Sequence, residues 1–271
     1  MVGALGRRED LIALPWGRPE ADLDHPADIA ALVTRHGPDL VLMPAAWTDV
    51  DGCARDPELA MARNGTAPGI IARACVAAGA EMVLVSTNEV FDGERTDGEG
   101  YREDDPAAPR NPYGVSKLAG ERAVLAGFGD RPGVWIVRTS WLFGPPGNDF
   151  PHKVMRAADG LPPDAPLPGV ADEHGRPTYT PDLAGAILDL VTATPGGVFH
   201  LANEGPTTRL AWARHVLARA RPGRKVRPVG RHEFPRASDP PPWGVLDTSR
   251  AAAQGVRMRP WAGALDDYLA A

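Results

Sequence analysis

A tyrosine and a lysine four residues apart are the side chains of this sequence best suited to transfer a proton. They are Tyr113 and Lys117, in the run YGVSK at the start of a predicted helix. Residues at this spacing share one helix face, so the ammonium can lie beside the phenol. A nearby cation favours phenolate, which predicts a tyrosine pKa lowered from about 10 toward the working range of a general acid. The pair alone can arise by chance.

A hydroxyl at the end of a predicted strand is the second observation. The strand predicted at 81–86 (EMVLVS) is followed by Thr87. Ligands meet an α/β sheet at the carboxyl ends of its parallel strands. Thr87, Tyr113 and Lys117 are therefore predicted to lie together in one site.

The elements that must position this site alternate along the chain. Short apolar runs alternate with longer Ala-rich helical runs, which predicts an α/β fold with a Rossmann-like parallel sheet. The strands are apolar throughout, so helices are expected on both faces. Beyond residue 141 the chain is rich in Pro and Gly, which favours a separate lobe, and the proline-rich stretch 234–243 cannot be regular. Strands are predicted at 11–14, 40–43, 81–86, 134–138 and 198–202, and helices at 26–35, 57–64, 68–78, 113–126, 181–192 and, as the last helix, 210–220.

Composition and charge exclude several classes of function. The chain has 271 residues and a formal net charge of −6, with its arginines dispersed, which argues against a nucleic-acid-binding surface. No apolar run is long enough for a transmembrane helix, and the N-terminus lacks the pattern of a secretory signal. Cys53 and Cys75 have no His or Cys neighbours at metal-ligand spacing. They are predicted to be reduced thiols of a cytoplasmic protein, and no metal site is predicted.

Seven blocks, in the same order, resemble the dTDP-4-dehydrorhamnose reductase family of extended short-chain dehydrogenases. The resemblance runs from about residue 11 to the C-terminus. The blocks are AAWTDVDGC (45–53), STNEVFDG (86–93), NPYGVSKLAGE (111–121), RTSWLFGPPGNDF (138–150), DEHGRPTYTPDLA (172–184), VFHLANEG (198–205) and VLDTSRAAAQGVRMRPW (245–261).

The resemblance implies a fold, a reaction and the catalytic residues. A Rossmann lobe (1–141 and 178–202) would bind NADPH or NADH, and a smaller lobe (142–177 and 203–271) would bind a nucleotide sugar. The reaction would be hydride transfer to C4 of a nucleoside-diphosphate 4-keto-6-deoxy sugar. Thr87 would hold the carbonyl, Tyr113 would donate the proton, and Lys117 would tune Tyr113 and hold the nicotinamide ribose.

The remaining site residues are carried over from the family position by position. Besides Tyr113 and Lys117, the cofactor would contact Asp22, Leu23, Ala45 and Ala46. The substrate would contact Thr48, Val50, Asn88, Glu89 and Trp141.

The sequence departs from the family at its start. A dinucleotide site needs a first strand and a Gly-rich turn, with the pyrophosphate at a helix N-terminus. Only ten residues precede the strand predicted at 11–14, which is too few for a strand, a turn and a helix. Gly3 and Gly6 resemble an incomplete Gly-rich dinucleotide-binding motif, but the spacing opposes that interpretation. Residues 1–8 (MVGALGRR) are therefore predicted to end the first helix, with the first strand missing. Either upstream sequence supplies that strand or cofactor binding is lost.

Other departures leave the substrate open. Asn88 and Glu89 stand where the family has Asp and Tyr, and Glu89 is reminiscent of nucleotide-sugar dehydratases. An arginine suited to a diphosphate is replaced near Asp239 and Pro240, although Arg236 is a possible substitute. Two alternatives to a reductase therefore stand: a non-catalytic regulatory or binding relative, and a nucleotide-sugar epimerase or dehydratase. Homodimers are common in such enzymes, but the sequence leaves the oligomeric state open.

Overall fold

The computed structural model describes residues 11–271, and a parallel four-stranded sheet forms its centre. The sheet has the order Leu40–Met43 (β1), Glu81–Thr87 (β2), Val134–Thr139 (β3), Gly197–His200 (β8), and the predicted α/β class with a parallel sheet is confirmed. The strands within residues 11–271 are β1 (Leu40–Met43), β2 (Glu81–Thr87), β3 (Val134–Thr139), β4 (Leu142–Phe143), β5 (Leu167–Val170), β6 (His174–Gly175), β7 (Thr178–Tyr179), β8 (Gly197–His200), β9 (Thr207–Thr208) and β10 (Val226–Val229).

Helices connect these strands and cover both faces of the sheet. A π-helix (Met61–Thr66) separates the third and fourth α-helices, and short 3₁₀ turns lie at Asn88–Val90 and Arg231–Glu233. The α-helices are α1 (Pro26–His36), α2 (Val50–Arg55), α3 (Pro57–Ala60), α4 (Ala67–Ala78), α5 (Pro112–Phe128), α6 (Phe150–Asp159), α7 (Thr180–Ala193), α8 (Arg209–Ala220), α9 (Ser249–Ala253) and α10 (Trp261–Ala270).

Successive residues of the central strands enter two separate cores. Met82 and Leu84 of β2 pack with α1, α4 and α5, whereas Val83 and Val85 pack with α7 and α9. Side chains of a strand alternate between its faces, so a strand buried on both faces reads as continuously apolar. This explains why the run EMVLVS shows no polar alternation.

A third core lies away from the sheet. It joins α6, α8 and α10 around the buried rings of Phe143 and Trp212, with Val154 and Leu265 beside them. The two-stranded parallel pair β5–β10 contributes Leu167 to this core. The aromatic side chains here lie next to the segment that follows β3, and therefore next to the carboxyl end of the sheet.

Several predicted elements differ from the structure. Residues 11–14 form no strand: Ile12 is 93% exposed, and apolar composition cannot make a strand without a neighbour to pair with. The helix predicted at 57–64 is interrupted by the π-helix, and the helix at 210–220 is followed by α9 and α10. The predictions made for residues 1–8, Gly3 and Gly6 lie outside the described residues.

None of the helices in residues 11–271 is both long and apolar enough to cross a membrane.

Close packing between α5 and the π-helix generates the first prediction. A Cβ at Gly120 would lie 2.2 Å from the carbonyl oxygen of Asn64. Gly120→Ala should therefore lower the free energy of unfolding by about 1–3 kcal/mol, because backbone must shift to accept the methyl group. Urea unfolding followed by circular dichroism measures this change.

Gly185→Ala is the matched control, since no atom lies within 4 Å of a Cβ at this position of α7. Alanine is favoured over glycine in a helix interior, so this variant should be more stable by about 0.5–1 kcal/mol. Equal unfolding curves for the two variants would contradict the packing described here.

Candidate functional site

The three predicted catalytic residues come together where β2 ends and α5 begins. Thr87 is the last residue of β2, and Tyr113 and Lys117 occupy the first turns of α5; all three side chains are buried. Asn111 caps the helix, accepting a hydrogen bond from the Gly114 N–H at 2.8 Å. The cap fixes where the helix begins, and therefore where the phenol and the amine lie relative to the strand end.

Tyr113 is a protonated phenol in this environment. Burial raises its pKa above the ordinary value, the charge of Glu89 raises it further, and a side-chain interaction with Thr87 lowers it. The prediction that Lys117 lowers the pKa of Tyr113 is wrong for this structure, because burial and Glu89 prevail. A raised pKa keeps the phenol protonated at neutral pH, but it also makes the phenol a weaker acid than a group whose pKa lies near the working pH.

Lys117 is held beneath the end of β2. Its Nζ donates a hydrogen bond to the Val85 carbonyl at 2.8 Å, and only 2% of the residue is exposed. Burial lowers the pKa of Lys117 to about 8, and the charge of Glu121 opposes that shift. The amine is therefore protonated at neutral pH and titrates just above it.

A buried ion pair lies next to the segments that carry Thr87 and Lys117. Arg138 of β3 binds Glu121 of α5, with Nη2 2.7 Å from Oε2 and Nε 3.1 Å from Oε1. The Ser86 hydroxyl donates to the same carboxylate at 2.5 Å. Ser86 precedes Thr87, and Glu121 lies one helical turn beyond Lys117, so this network holds the end of β2 and the start of α5 in register.

Glu89 is a second ionisable group beside the phenol. Asn111 Nδ2 donates to its Oε2 at 2.7 Å. Burial raises the pKa of the Glu89 carboxyl, and the charges of Arg236 and Arg209 oppose that shift. Tyr113, Glu89 and the two arginines thus share one electrostatic environment.

The segment after β1 lies against α5 through one buried amide. Asn64, in the π-helix, accepts from the Trp47 N–H at 2.8 Å and donates to the Trp47 carbonyl at 3.0 Å. Its Nδ2 also donates to Ser116 Oγ at 3.2 Å. Single-turn π-helices are frequent at functional sites, and this one aligns the loop beside the phenol.

The predicted residues of this loop have different surroundings. Val50 is half-buried and packs with Trp47 in the small cluster that contains Tyr113. Ala45 and Thr48 are exposed and Ala46 is half-buried. Small, accessible residues at the carboxyl end of a strand leave room for a ligand.

Asp22 and Leu23 lie in the turn before α1. Leu23 is buried in the core beneath α1. Asp22 accepts from the Asp24 N–H at 3.1 Å. The Leu23 side chain packs in the interior, so a ligand at this turn would meet Asp22 and the backbone.

Trp141 follows β3 in an unfavourable backbone conformation. Its φ of 47° lies in the left-handed region, which is strained for a bulky aromatic residue. Gly175 packs so closely that a Cβ there would lie 2.6 Å from the indole Cε2. Strained residues cluster at ligand sites, which fits the predicted role of Trp141.

The proline-rich segment 234–243 crosses back to the sheet lobe and is irregular, as predicted. Ser238 Oγ donates to Asp51 Oδ1 at 2.5 Å, and Arg110 binds Asp239 Oδ2 through Nη2 at 2.7 Å. Asn111 Nδ2 also donates to the Asp239 carbonyl at 3.2 Å. The segment therefore joins the C-terminal part of the chain to the edge of the site.

Sequence reasoning did not give roles to Asn64, Asn111 or Arg209. The two asparagines make contacts with residues that are distant in sequence. The exception is the helix cap of Asn111, which the sequence Asn-Pro-Tyr could have indicated, because Asn is a preferred N-cap residue. Nothing in the sequence places Arg209 near Trp141. Within residues 11–271, no group of three or more His, Cys, Asp or Glu side chains is arranged to hold a metal ion.

Comparison with known proteins gives consistent likenesses over almost the whole chain. A family model described as the RmlD substrate binding domain matches residues 2–271. The dTDP-4-dehydrorhamnose reductase of Streptomyces griseus is 41% identical over 281 residues, covering 98% of this chain and 90% of that protein.

Two solved structures are similar in fold. A dTDP-4-dehydrorhamnose reductase from Clostridium acetobutylicum has a TM-score of 0.91 and 30% identity, covering 99% of this chain and 94% of that chain. The enzyme of the same name from Bacillus anthracis, in complex with NADP, has a TM-score of 0.86 and 30% identity, covering 95% and 89%.

The buried ion pair generates the second prediction. Glu121→Gln removes one charge and leaves Arg138 charged in the interior, so the free energy of unfolding should fall by about 3–5 kcal/mol. Asp159→Asn, which breaks the exposed pair of Asp159 with Arg221, is the control and should leave stability almost unchanged. Guanidinium unfolding of the three proteins measures the difference; similar losses for both variants would contradict the importance of the buried pair.

Proposed function

The chain belongs to the dTDP-4-dehydrorhamnose reductase family, and we propose that it reduces the 4-keto group of a nucleoside-diphosphate 4-keto-6-deoxy sugar with NADPH or NADH. The observation that carries this proposal is the placement of Thr87, Tyr113 and Lys117 together at the carboxyl end of β2. Tyr113 is a buried phenol whose raised pKa keeps its proton available. The Bacillus anthracis relative was crystallised with NADP, which supports the choice of cofactor.

The described residues fit the nicotinamide end of such a cofactor. Lys117 presents a buried amine near the end of β2, with Tyr113 one turn before it, and these two would hold the nicotinamide ribose. Ala45 and Ala46 leave space beside the end of β1. Asp22 and Leu23 would line the cofactor farther from the phenol. When bound, the cofactor supplies the hydride.

The protein's own part in the reaction is to hold the carbonyl and supply a proton. Thr87 Oγ1 and the Tyr113 hydroxyl would both hydrogen-bond the C4 oxygen of the sugar. As C4 accepts the hydride, the developing negative charge on that oxygen takes the proton of Tyr113, and the product is the C4 alcohol. Lys117, protonated at neutral pH, stabilises the phenolate that remains.

Substrate contacts are proposed for five further residues. Glu89 and Val50 lie in the surroundings of Tyr113, and Trp141 and Asn88 follow the neighbouring strand ends. Thr48 is exposed on the loop after β1. In the proposed division into a cofactor lobe (1–141 and 178–202) and a substrate lobe (142–177 and 203–271), these five residues belong to the cofactor lobe, and the substrate lobe would cover the sugar from the other side.

The proposal also includes a cytoplasmic enzyme that forms a homodimer. Cys53 and Cys75 are free, buried thiols, and burial raises the pKa of each to about 11, as suits unreactive reduced cysteines. Light scattering of the purified protein tests the dimer.

One observation favours a second candidate, a nucleotide-sugar epimerase or dehydratase. Glu89 places a carboxyl group beside Tyr113, and such a group can remove a proton from a carbon next to a ketone. Incubation of the keto sugar with the protein in D₂O without NADPH separates the two functions. Deuterium at C5 without reduction supports the second candidate, whereas NADPH-dependent formation of the alcohol supports the reductase.

The proton-donor role gives the third prediction. Tyr113→Phe should lower turnover of the keto sugar at least about 100-fold, because the phenol supplies the proton, while the fold stays unchanged and NADPH still binds through Lys117 and the other cofactor contacts. NADPH oxidation measures turnover, and titration of tryptophan fluorescence with NADPH measures binding. Tyr268→Phe, in the third core, is the matched control and should keep turnover. Turnover of Tyr113→Phe within a few-fold of the parent protein would refute the role.

The position of Lys117 gives the fourth prediction, a loss of activity at alkaline pH. Burial lowers the pKa of Lys117 to about 8, so the ammonium is present below that pH and disappears above it. The value of kcat/KM should therefore fall as pH rises through about 8. Lys117→Arg, whose guanidinium stays charged, should move this fall to higher pH.

Initial rates from about pH 6 to about pH 10 test this dependence. Lys153→Arg, at an exposed position of α6, is the control and should keep the parent profile. A profile that stays flat through pH 10, or one that Lys117→Arg leaves in place, would show that another group sets the alkaline limit.

A further inference from the structure

An arginine covers the face of the tryptophan beside the site. The Cζ atom of Arg209 lies 3.7 Å from the centre of the Trp141 ring, and 5.1 and 5.7 Å from the rings of Phe150 and Trp212. Gly175 packs against the same indole. A ligand that approaches the covered face of Trp141 therefore meets a guanidinium group before it meets the ring.

The local strands bring this arrangement about. Arg209 begins α8 directly after β9, and β9 pairs with β6, which contains Gly175. The Arg209 N–H donates to the Glu173 carbonyl at 3.3 Å. The strand pair thus positions the guanidinium and the support of the indole together, so Arg209 is held by backbone contacts as well as by stacking.

The donors of Arg209 are available to a ligand. Its nearest charged partner within residues 11–271 is Glu173, with Nε 3.6 Å from Oε2, which is beyond hydrogen-bond distance. The side chain is 23% exposed, and burial lowers its pKa to about 10, which leaves it charged at neutral pH. A largely buried cation with unused donors is stabilised by any oxygen acceptor that enters the site.

The charge of Arg209 also acts on a residue beside the phenol. It lowers the pKa of Glu89, whose own charge acts on Tyr113. Glu173 and Arg236 are the other charged groups that act on both Arg209 and Glu89. Thr139, two residues before Trp141, pairs with Thr87 at the end of β2, so the indole under Arg209 lies at the same edge of the sheet as the phenol, where the sugar of a nucleotide sugar would be reduced.

We infer that Arg209 determines substrate specificity by hydrogen-bonding hydroxyl oxygens of the sugar ring, in place of stacking by Trp141. The inference rests on the proposed reductase function. A guanidinium held 3.7 Å from the centre of an indole has few orientations for its donors, which selects sugars by the position of their oxygens. The diphosphate offers the same acceptor chemistry, but the neighbourhood of Trp141 and Glu89 favours the sugar.

Binding of two nucleotides separates these sources of oxygen. Calorimetric titration gives the Kd of dTDP-rhamnose, the alcohol product of the reaction, and of dTDP, which lacks the sugar. Arg209→Met keeps an unbranched apolar stem on Trp141 and removes the donors. This variant should raise the Kd of dTDP-rhamnose roughly 10–100-fold, as expected for the loss of charge-assisted hydrogen bonds. The Kd of dTDP should stay within about twofold of the parent value. Arg209→Lys should recover part of the loss.

Arg214→Met, an exposed position of the same helix, is the control and should bind both nucleotides like the parent protein. If Arg209→Met weakens the binding of dTDP and of dTDP-rhamnose equally, Arg209 binds the diphosphate. If the binding of both is unchanged, Arg209 contacts neither the diphosphate nor the sugar. Each result overturns the inference. A parent protein that binds NADPH but neither nucleotide overturns the inference as well, and it excludes a dTDP sugar as the substrate of the proposed reduction.

Discussion

Arg138 and Glu121 are opposite charges that have been removed from water between β3 and α5. Burial of two ions costs free energy that their attraction offsets only when the geometry is good and the remaining polar atoms are satisfied. Both conditions hold, since the guanidinium contacts both carboxylate oxygens, Ser86 donates to the carboxylate, and the Glu103 carbonyl accepts from Arg138 at 3.3 Å. The pair is stable in only one alignment of helix and strands.

That alignment also positions the proposed catalytic groups, because they are neighbours of the pair. Thr87 follows Ser86, and Lys117 lies one turn before Glu121 on the same helix face. Burial raises the pKa of Tyr113 and lowers that of Lys117. A neutral phenol therefore lies close to an ammonium group that loses its proton more readily than an exposed lysine does. The raised pKa keeps the phenol protonated at neutral pH, and the nearby ammonium would stabilise the phenolate that proton transfer leaves.

The parts of this site that depend on local sequence were predictable. The four-residue spacing of Tyr113 and Lys117 gives one face in any helix, and the run EMVLVS forms a buried strand because it is apolar throughout. Contacts between distant segments were not predictable, as with the Asn64 link to Trp47 and the placement of Arg209 on Trp141. The direction of the Tyr113 pKa shift failed for the same reason, since burial and the Glu89 charge follow from packing.

The departure of Asn88 from the family pattern has a physical explanation in the same kind of contact. Its Nδ2 donates to the Gly244 carbonyl at 3.1 Å, and its Oδ1 accepts from Thr87 Oγ1 at 3.4 Å. A carboxylate in this place would set negative charge against the carbonyl oxygen and would lose the donor. A Cβ at Gly244 would lie 2.2 Å from Nδ2, so the glycine provides the space that the amide occupies. Asn88 and Gly244 are therefore a matched pair that joins the end of β2 to the segment after Trp243, and the amide at position 88 holds these two segments together.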